Sequence, residues 1–211
     1  MAWRSRLLIL ILIMTIVSLA VTGITIFILY NVAFEQSKDR LVEIVKNQSG
    51  LIEAIARFDE TYRERDYPGG SVEATLSQII DAHEHYEGFG QTGEFTLARR
   101  EGNDIKFLLS HRHGEGKRPS PIPFDADRAE PMRRALSGKS GTLVGPDYRG
   151  TVVLAAHEPL TKLGWGVVAK IDLAEIREPY VRAGIVATGW SLFVLLLGVV
   201  LFPVSYTHLK M

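Results

Sequence analysis

The chain has 211 residues, with 24 Lys and Arg against 24 Asp and Glu, so its formal net charge at pH 7 is zero. That balance is not the profile of a nucleic-acid binder, which gathers positive charge on one face. There is no cysteine, which excludes disulfides and thiolate metal sites and is compatible with an oxidising compartment.

Two long runs, Leu7–Tyr30 and Ile185–Val204, carry no charge. A helix needs about 20 apolar residues to cross a bilayer, and both runs supply them. The first is longer than the about 7–15 residues of a signal-peptide core, and no small-x-small cleavage site follows cleanly, so an uncleaved anchor is expected. Arg4 and Arg6 precede it, and positive residues stay in the cytoplasm. The expected layout is a cytoplasmic N-terminus (1–6), a first span (7–30), an extracytoplasmic domain (31–182), a second span (183–204) and a short cytoplasmic tail (205–211). All the acidic residues fall within 31–182, as do all the basic ones except Arg4, Arg6 and Lys210, so that domain is slightly acidic.

After the first run, residues 31–67 read as one long helix. Leu41, Ile44, Gln48, Leu51, Ile55, Phe58 and Tyr62 recur at alternating steps of three and four, a heptad seam. Two readings fit it: the helix packs on its own sheet, or part of the seam pairs with a second copy as a dimer stalk. Asp66-Tyr-Pro-Gly-Gly ends the helix. Ser71 then caps a second helix with Val72, Leu76, Ile79, Ile80 and His83 on one side, stopped by Gly88 and Gly90.

Strands are expected at 94–99 and 105–110, joined through Arg100-Glu-Gly-Asn-Asp as a hairpin. Residues 111–124 form a polar loop rich in Pro and Gly, and 129–137 a short helix. Strands at 142–144 and 151–157 flank Gly-Pro-Asp-Tyr-Arg-Gly, and a fifth covers 166–171. The predicted class is therefore α+β: an antiparallel sheet of about five strands, a long N-terminal helix, one inserted helix and an exit helix. Val152-Val-Leu-Ala-Ala and Val167-Val-Ala suit central strands covered on both faces. One face would pack on the long helix, and the other would leave space for a small-molecule pocket under the inserted helix and loops.

Several of these stretches have a familiar pattern. Gly90-Gln-Thr-Gly-Glu94 precedes the first strand, Asp147-Tyr-Arg-Gly150 makes a hairpin, an apolar strand ends at Ala156–Pro159, and Gly164-Trp-Gly-Val-Val-Ala-Lys-Ile-Asp172 closes the sheet. Over roughly residues 80–178 the chain resembles the extracytoplasmic Cache sensor domains of bacterial membrane receptors, which have a PAS-like fold. The resemblance implies a sensor input region of a signalling receptor in the bacterial inner membrane, with its domain periplasmic or extracellular, binding a small ligand. It also implies an output module after the second span: HAMP, PAS, histidine kinase of a two-component system, diguanylate cyclase or methyl-accepting. The end, Pro203-Val-Ser-Tyr-Thr-His-Leu-Lys-Met, departs from that pattern and is expected to be truncated or artefactual. The alternative is a ligand-free, membrane-anchored dimerisation or interaction module.

Asp172 and Glu175 stand at N-cap and N3 of the exit helix, the spacing of a capping box. Pro179 removes one backbone bond a turn later, where a kink is expected. With so little chain between sheet and span, ligand-driven strand shifts would pass directly into the helix, provided that the ligand binds two states differently. Asp172, Glu175 and Pro179 are the expected transmission residues.

Candidate ligand contacts are His111, Arg112, Arg133, Tyr148, His157 and Lys170. His111 to Arg118 is a basic loop able to clamp a carboxylate, or simply a solvated one. His157 ends a face formed with Thr151, Val153 and Ala155, where pocket and rim readings both stand; Lys170 shares a face with Val168 and Gly166, where an ion pair with a neighbour is the other reading. A small organic ligand, an anion by preference, and a homodimeric partner are expected. His83-x-His85 diverge on a helix, and no zinc-type spacing completes His111-x-His113, so neither metal nor cofactor is expected. No nucleophile elbow, phosphate loop or kinase signature is present, so no catalysis by this chain is expected.

Overall fold

The computed structural model describes residues 2–62, 67–84, 88–109 and 119–208. His85 and the basic loop with His111, Arg112 and His113 lie outside the described residues. The chain divides into two units, Met1–Phe34 with Arg177–Met211, and Glu35–Ile176. Its elements are α1 (Ala2–Tyr62), α2 (Gly70–Glu84), β1 (Glu94–Glu101), β2 (Asp104–Phe107), β3 (Ile122–Pro123), α3 (Glu130–Leu136), β4 (Gly141–Pro146), β5 (Val152–Leu160), β6 (Trp165–Asp172) and α4 (Leu173–His208).

In the first unit, segments of α1 and α4 lie side by side. Tyr30 meets Tyr180 edge-on at 5.7 Å between ring centroids, and Gly184 and Gly198 face Ile26 and Ile11. Both helices are long and apolar enough to cross a membrane, with exposed large side chains such as Ile13, Phe27, Val194 and Leu196. Thr15, Thr25 and Thr188 donate their hydroxyls to the carbonyls four residues earlier, at 2.8–2.9 Å. Those bonds keep each hydroxyl satisfied inside an apolar surface.

The second unit is built on an antiparallel sheet in the order β3-β2-β1-β6-β5-β4, the expected α+β class with a long N-terminal helix. It has six strands rather than about five. The extra one is β3, two residues in the stretch read as loop, pairing Ile122 with Ile105 and Pro123 with Asp104. Its proline tolerates the position because the strand lies at the sheet edge. The most apolar strands, β5 and β6, are interior, as full burial on both faces requires. Glu94, Thr96 and Ala98 of β1, Val168 and Lys170 of β6, and Val153, Ala155 and His157 of β5 share one face by strand alternation and register. The short helix α3 covers this face, and Met132 joins Ala98, Phe107, Val153, Ala155 and Val168 in its core. Gly166 permits that seat: a Cβ there would stand 2.9 Å from Ala135 Cβ and 3.0 Å from Met132 Sδ. Phe95 points to the opposite face, where α1 and α2 lie beside it.

The expected seam on α1 is turned by about one residue. Leu41, Val45, Ser49, Ile52 and Asp59 are buried, while Leu51, Phe58 and Tyr62 are 55%, 52% and 67% exposed. The steps of three and four average to a straight helix on its own domain, so the buried stripe drifts off a strict heptad. Asp59 joins α1 to α2, accepting bonds from Thr75 Oγ1 at 2.8 Å and Gln78 Nε2 at 2.7 Å. That helix starts at Gly70, so Ser71 lies in its first turn and is not its cap. Helix α4 runs through Pro179 without interruption.

Candidate functional site

On the α3 side of the sheet, Lys170 sits directly opposite Glu94 on β1 and Ala155 on β5. Its ammonium lies 2.9 Å from Glu94 Oε2 and 2.5 Å from Asp147 Oδ2. Side-chain exposures of 3%, 3% and 1% make this a buried ion triad. The ammonium also stands 4.3 Å from the Tyr148 ring centroid, within reach of a cation–π attraction. The Tyr148 hydroxyl lies 3.3 Å from Glu94 Oε2, and its ring packs on Phe107 at 5.5 Å. Burial, and then the neighbouring Glu94 carboxylate, push the Tyr148 phenol far above its ordinary range, so it stays protonated.

Asp147 is held by its own turn. Its Oδ1 accepts the Arg149 N–H at 2.8 Å and the Thr151 N–H at 3.1 Å, which fixes the turn between β4 and β5. Burial disfavours its charge, but Lys170 and Arg149 outweigh that and hold the carboxyl below its usual range. The Asp147 carbonyl accepts the N–H of Ala129, the residue before α3. Ala129 has φ 57°, a left-handed conformation unusual for alanine. Ala129, Pro131 and Met132 form the roof over Thr96, Phe107, Val168 and Lys170. The space left is about 10 Å³, about enough for one water.

From Asp147 the charges continue toward the exit. Arg149 donates Nε to Asp147 at 2.7 Å and a terminal nitrogen to Asp172 at 2.5 Å. The Asp172 N–H donates to Thr92 Oγ1 at 3.0 Å. Glu175, in the first turn of α4, accepts the Gln91 N–H at 2.9 Å, the Thr92 N–H at 2.7 Å and the Thr92 hydroxyl at 2.5 Å. Asp172 and Glu175 thus occupy the expected positions at the helix start, but not as a reciprocal capping box. The Asp172 carboxylate takes Arg149, and the Glu175 carboxylate caps the turn at 90–92.

Of the sequence candidates, the structure brings Tyr148 and Lys170 together, links Asp172 to them through Arg149 and Asp147, and links Glu175 to Asp172 through Thr92. Arg133 is directed elsewhere, onto the carbonyl of Ala126 and, at 3.3 Å, that of Arg128, bracing the chain before α3. His157 is buried beyond Ala155, across from Gly141 and Val168. Burial, and then Arg134 nearby, lower its pKa, and its Nδ1 makes no hydrogen bond among the described residues. Sequence reasoning missed Glu94, Asp147, Arg149 and Thr92. Glu94 and Thr92 were visible in Gly90-Gln-Thr-Gly-Glu94, where alternation along β1 places Glu94 on the face of Ala98. Among the described residues no cluster of three or more His, Asp or Glu is arranged to hold a metal ion.

No family model and no curated protein matches the chain. Among solved structures it is similar to the sensory domain of the Campylobacter jejuni chemoreceptor Tlp3 (CcmL), with 12% identity and a TM-score of 0.33. The match covers 71% of this chain and 66% of that one, so the chain spans just under two thirds of its length, a likeness too loose to carry fold or function.

Proposed function

We propose that the chain is the membrane-anchored sensor region of a bacterial signalling receptor, of the Cache type that its sequence resembles. The runs at 7–30 and 183–204 are its spans, and residues 31–182 lie outside the cytoplasm. The observation that carries the reading is the buried Lys170–Glu94–Asp147 triad under a short, strained roof, joined by paired side chains to the first turn of α4. A fold needing only stability gains little from such a triad, since well-packed apolar residues of similar volume serve as well or better. The ligand is a small organic molecule, and it enters by lifting α3 from the sheet. A carboxylate ligand would compete with Glu94 and Asp147 for Lys170. The exposed Leu51, Phe58 and Tyr62 form a stripe on α1 suited to a second copy, which supports a homodimer.

The test is a thermal-shift screen of the full chain in detergent against organic acids, amino acids, amines and divalent metals. A binder at a hundred times its dissociation constant adds about 2.7 kcal/mol of stability. A carboxylate hit that disappears in Lys170→Gln supports the reading. No hit in any class, together with disulfide cross-linking of Leu51→Cys between copies, would favour the ligand-free dimerisation module.

A further inference from the structure

The turn Gly90-Gln-Thr, closed at its base by the Phe89 N–H on the Gly93 carbonyl at 3.3 Å, wraps a carboxylate. Gly90 is left-handed, with φ 62°, and a Cβ there would stand 2.6 Å from Glu175 Oε1. The turn therefore closes directly on the Glu175 carboxylate, which takes two backbone N–H groups and one hydroxyl from it. Such charge-assisted bonds are the stronger kind. The same threonine accepts the N–H of Asp172, the last residue of β6. One side chain, Thr92, thus touches both the end of the sheet and the first turn of α4. Ile176 adds an apolar anchor one residue further on.

The second observation is the route leading there. Lys170 and Asp172 are on the same strand and the same face, two residues apart. Arg149 bridges Asp172 to Asp147, and Asp147 bridges back to Lys170. Asp147 is shared by Lys170 and Arg149, and Arg149 is shared by Asp147 and Asp172. A change of partner at Lys170 therefore leaves Asp147 with Arg149 and draws that guanidinium away from Asp172.

We infer that the Gly90–Thr92 turn is a latch on the exit helix α4, and that the Lys170–Asp147–Arg149–Asp172 chain couples the state of the pocket to it. This rests on the sensor reading for its purpose, but the coupling belongs to the protein without ligand. With the pocket closed, Arg149 holds Asp172 at the end of β6, Thr92 bridges Asp172 to Glu175, and α4 is gripped. When Lys170 changes partners, the grip weakens and the first turn of α4 is released.

Hydrogen–deuterium exchange of the full chain in detergent tests this at the Gln91 and Thr92 amides and in the first turn of α4. Glu175→Gln opens the latch directly, and those amides exchange about tenfold faster or more. Lys170→Met, or the milder Glu94→Gln if that chain does not fold, gives a rise at the same amides while the β5–β6 ladder stays protected. In an Arg149→Met background the pocket substitution adds nothing further at the latch. Unchanged exchange at 91–92 in a folded pocket variant, or a rise only in step with the whole domain, overturns the coupling. Failure of every ligand to bind bears on the sensor reading and leaves these exchange outcomes readable.

Discussion

Replacing Lys170 with methionine keeps most of the side chain's volume and removes its charge. Glu94 and Asp147 then remain buried; Glu94 loses the ammonium at 2.9 Å, and Asp147 keeps Arg149 at 2.7 Å. Removing one partner of a buried pair costs about 3–5 kcal/mol, because the buried charge that remains is less well compensated than it would be in water. Loss of the contact over the Tyr148 ring adds to this, at 4.3 Å a matter of about 1 kcal/mol. For a domain of this size the midpoint should fall by about 10–15 °C. The reporter is Trp165, fully buried in β6, with Trp3 and Trp190 replaced by phenylalanine so that it fluoresces alone. Lys170→Met combined with Glu94→Gln should recover much of the loss, since it removes the carboxylate charge that faced the ammonium. A single variant within about 1 kcal/mol of the parent would show that the triad is not buried as described. A double variant as weak as the single would assign the loss to packing, not to charge.

Protonation gives a second check. Burial and Arg134 lower the His157 pKa below its ordinary 6.5, so below pH 6.5 the unfolded chain binds a proton that the folded one refuses. Stability then falls as pH drops from 6.5 toward the folded pKa, and urea titrations across that window should show the slope in the parent and its loss in His157→Leu. Packing of the roof gives a third. Gly166→Ala places a methyl 2.9 Å from Ala135 Cβ and 3.0 Å from Met132 Sδ, and overpacking of that kind costs about 1–3 kcal/mol; unchanged unfolding would show that α3 does not seat on β6.

The elements readable in the sequence were those with a repeating signal. The hairpin residues Gly102 and Gly150 both adopt positive φ, and the wholly apolar runs became the interior strands. Strand β3 was not readable, because two residues ending in proline have no period and its pairing with β2 is set by tertiary packing. The face of α1 was misread for a related reason: Leu41, Ile44 and Gln48 fit a heptad as well as a straight helix, and only packing selects Val45 and Ser49. At the site, Lys170 was legible as a polar group on an apolar strand and Tyr148 as an aromatic in the hairpin turn between β4 and β5. Glu94 was legible only in its face, by alternation along β1, since a carboxylate next to a glycine turn looks solvated until register sets it opposite a buried lysine; Asp147 carried no signal, because its turn reaches Lys170 only in the folded sheet.

The buried charges and the latch share one logic. A carboxylate–ammonium triad inside a sheet adds little net stability, because the cost of desolvation roughly cancels the attraction. It does make every arrangement with one missing partner costly, so the alternatives to the closed state are few and discrete. The same holds for Glu175 in its turn: leaving it exchanges three directed bonds for water. Arg149 joins the first contact to Asp172 and Thr92 joins Asp172 to the second, so the proposed coupling disfavours an intermediate with one open and one closed. That is the condition under which a small displacement at Lys170 moves a helix rather than dissipating in the sheet.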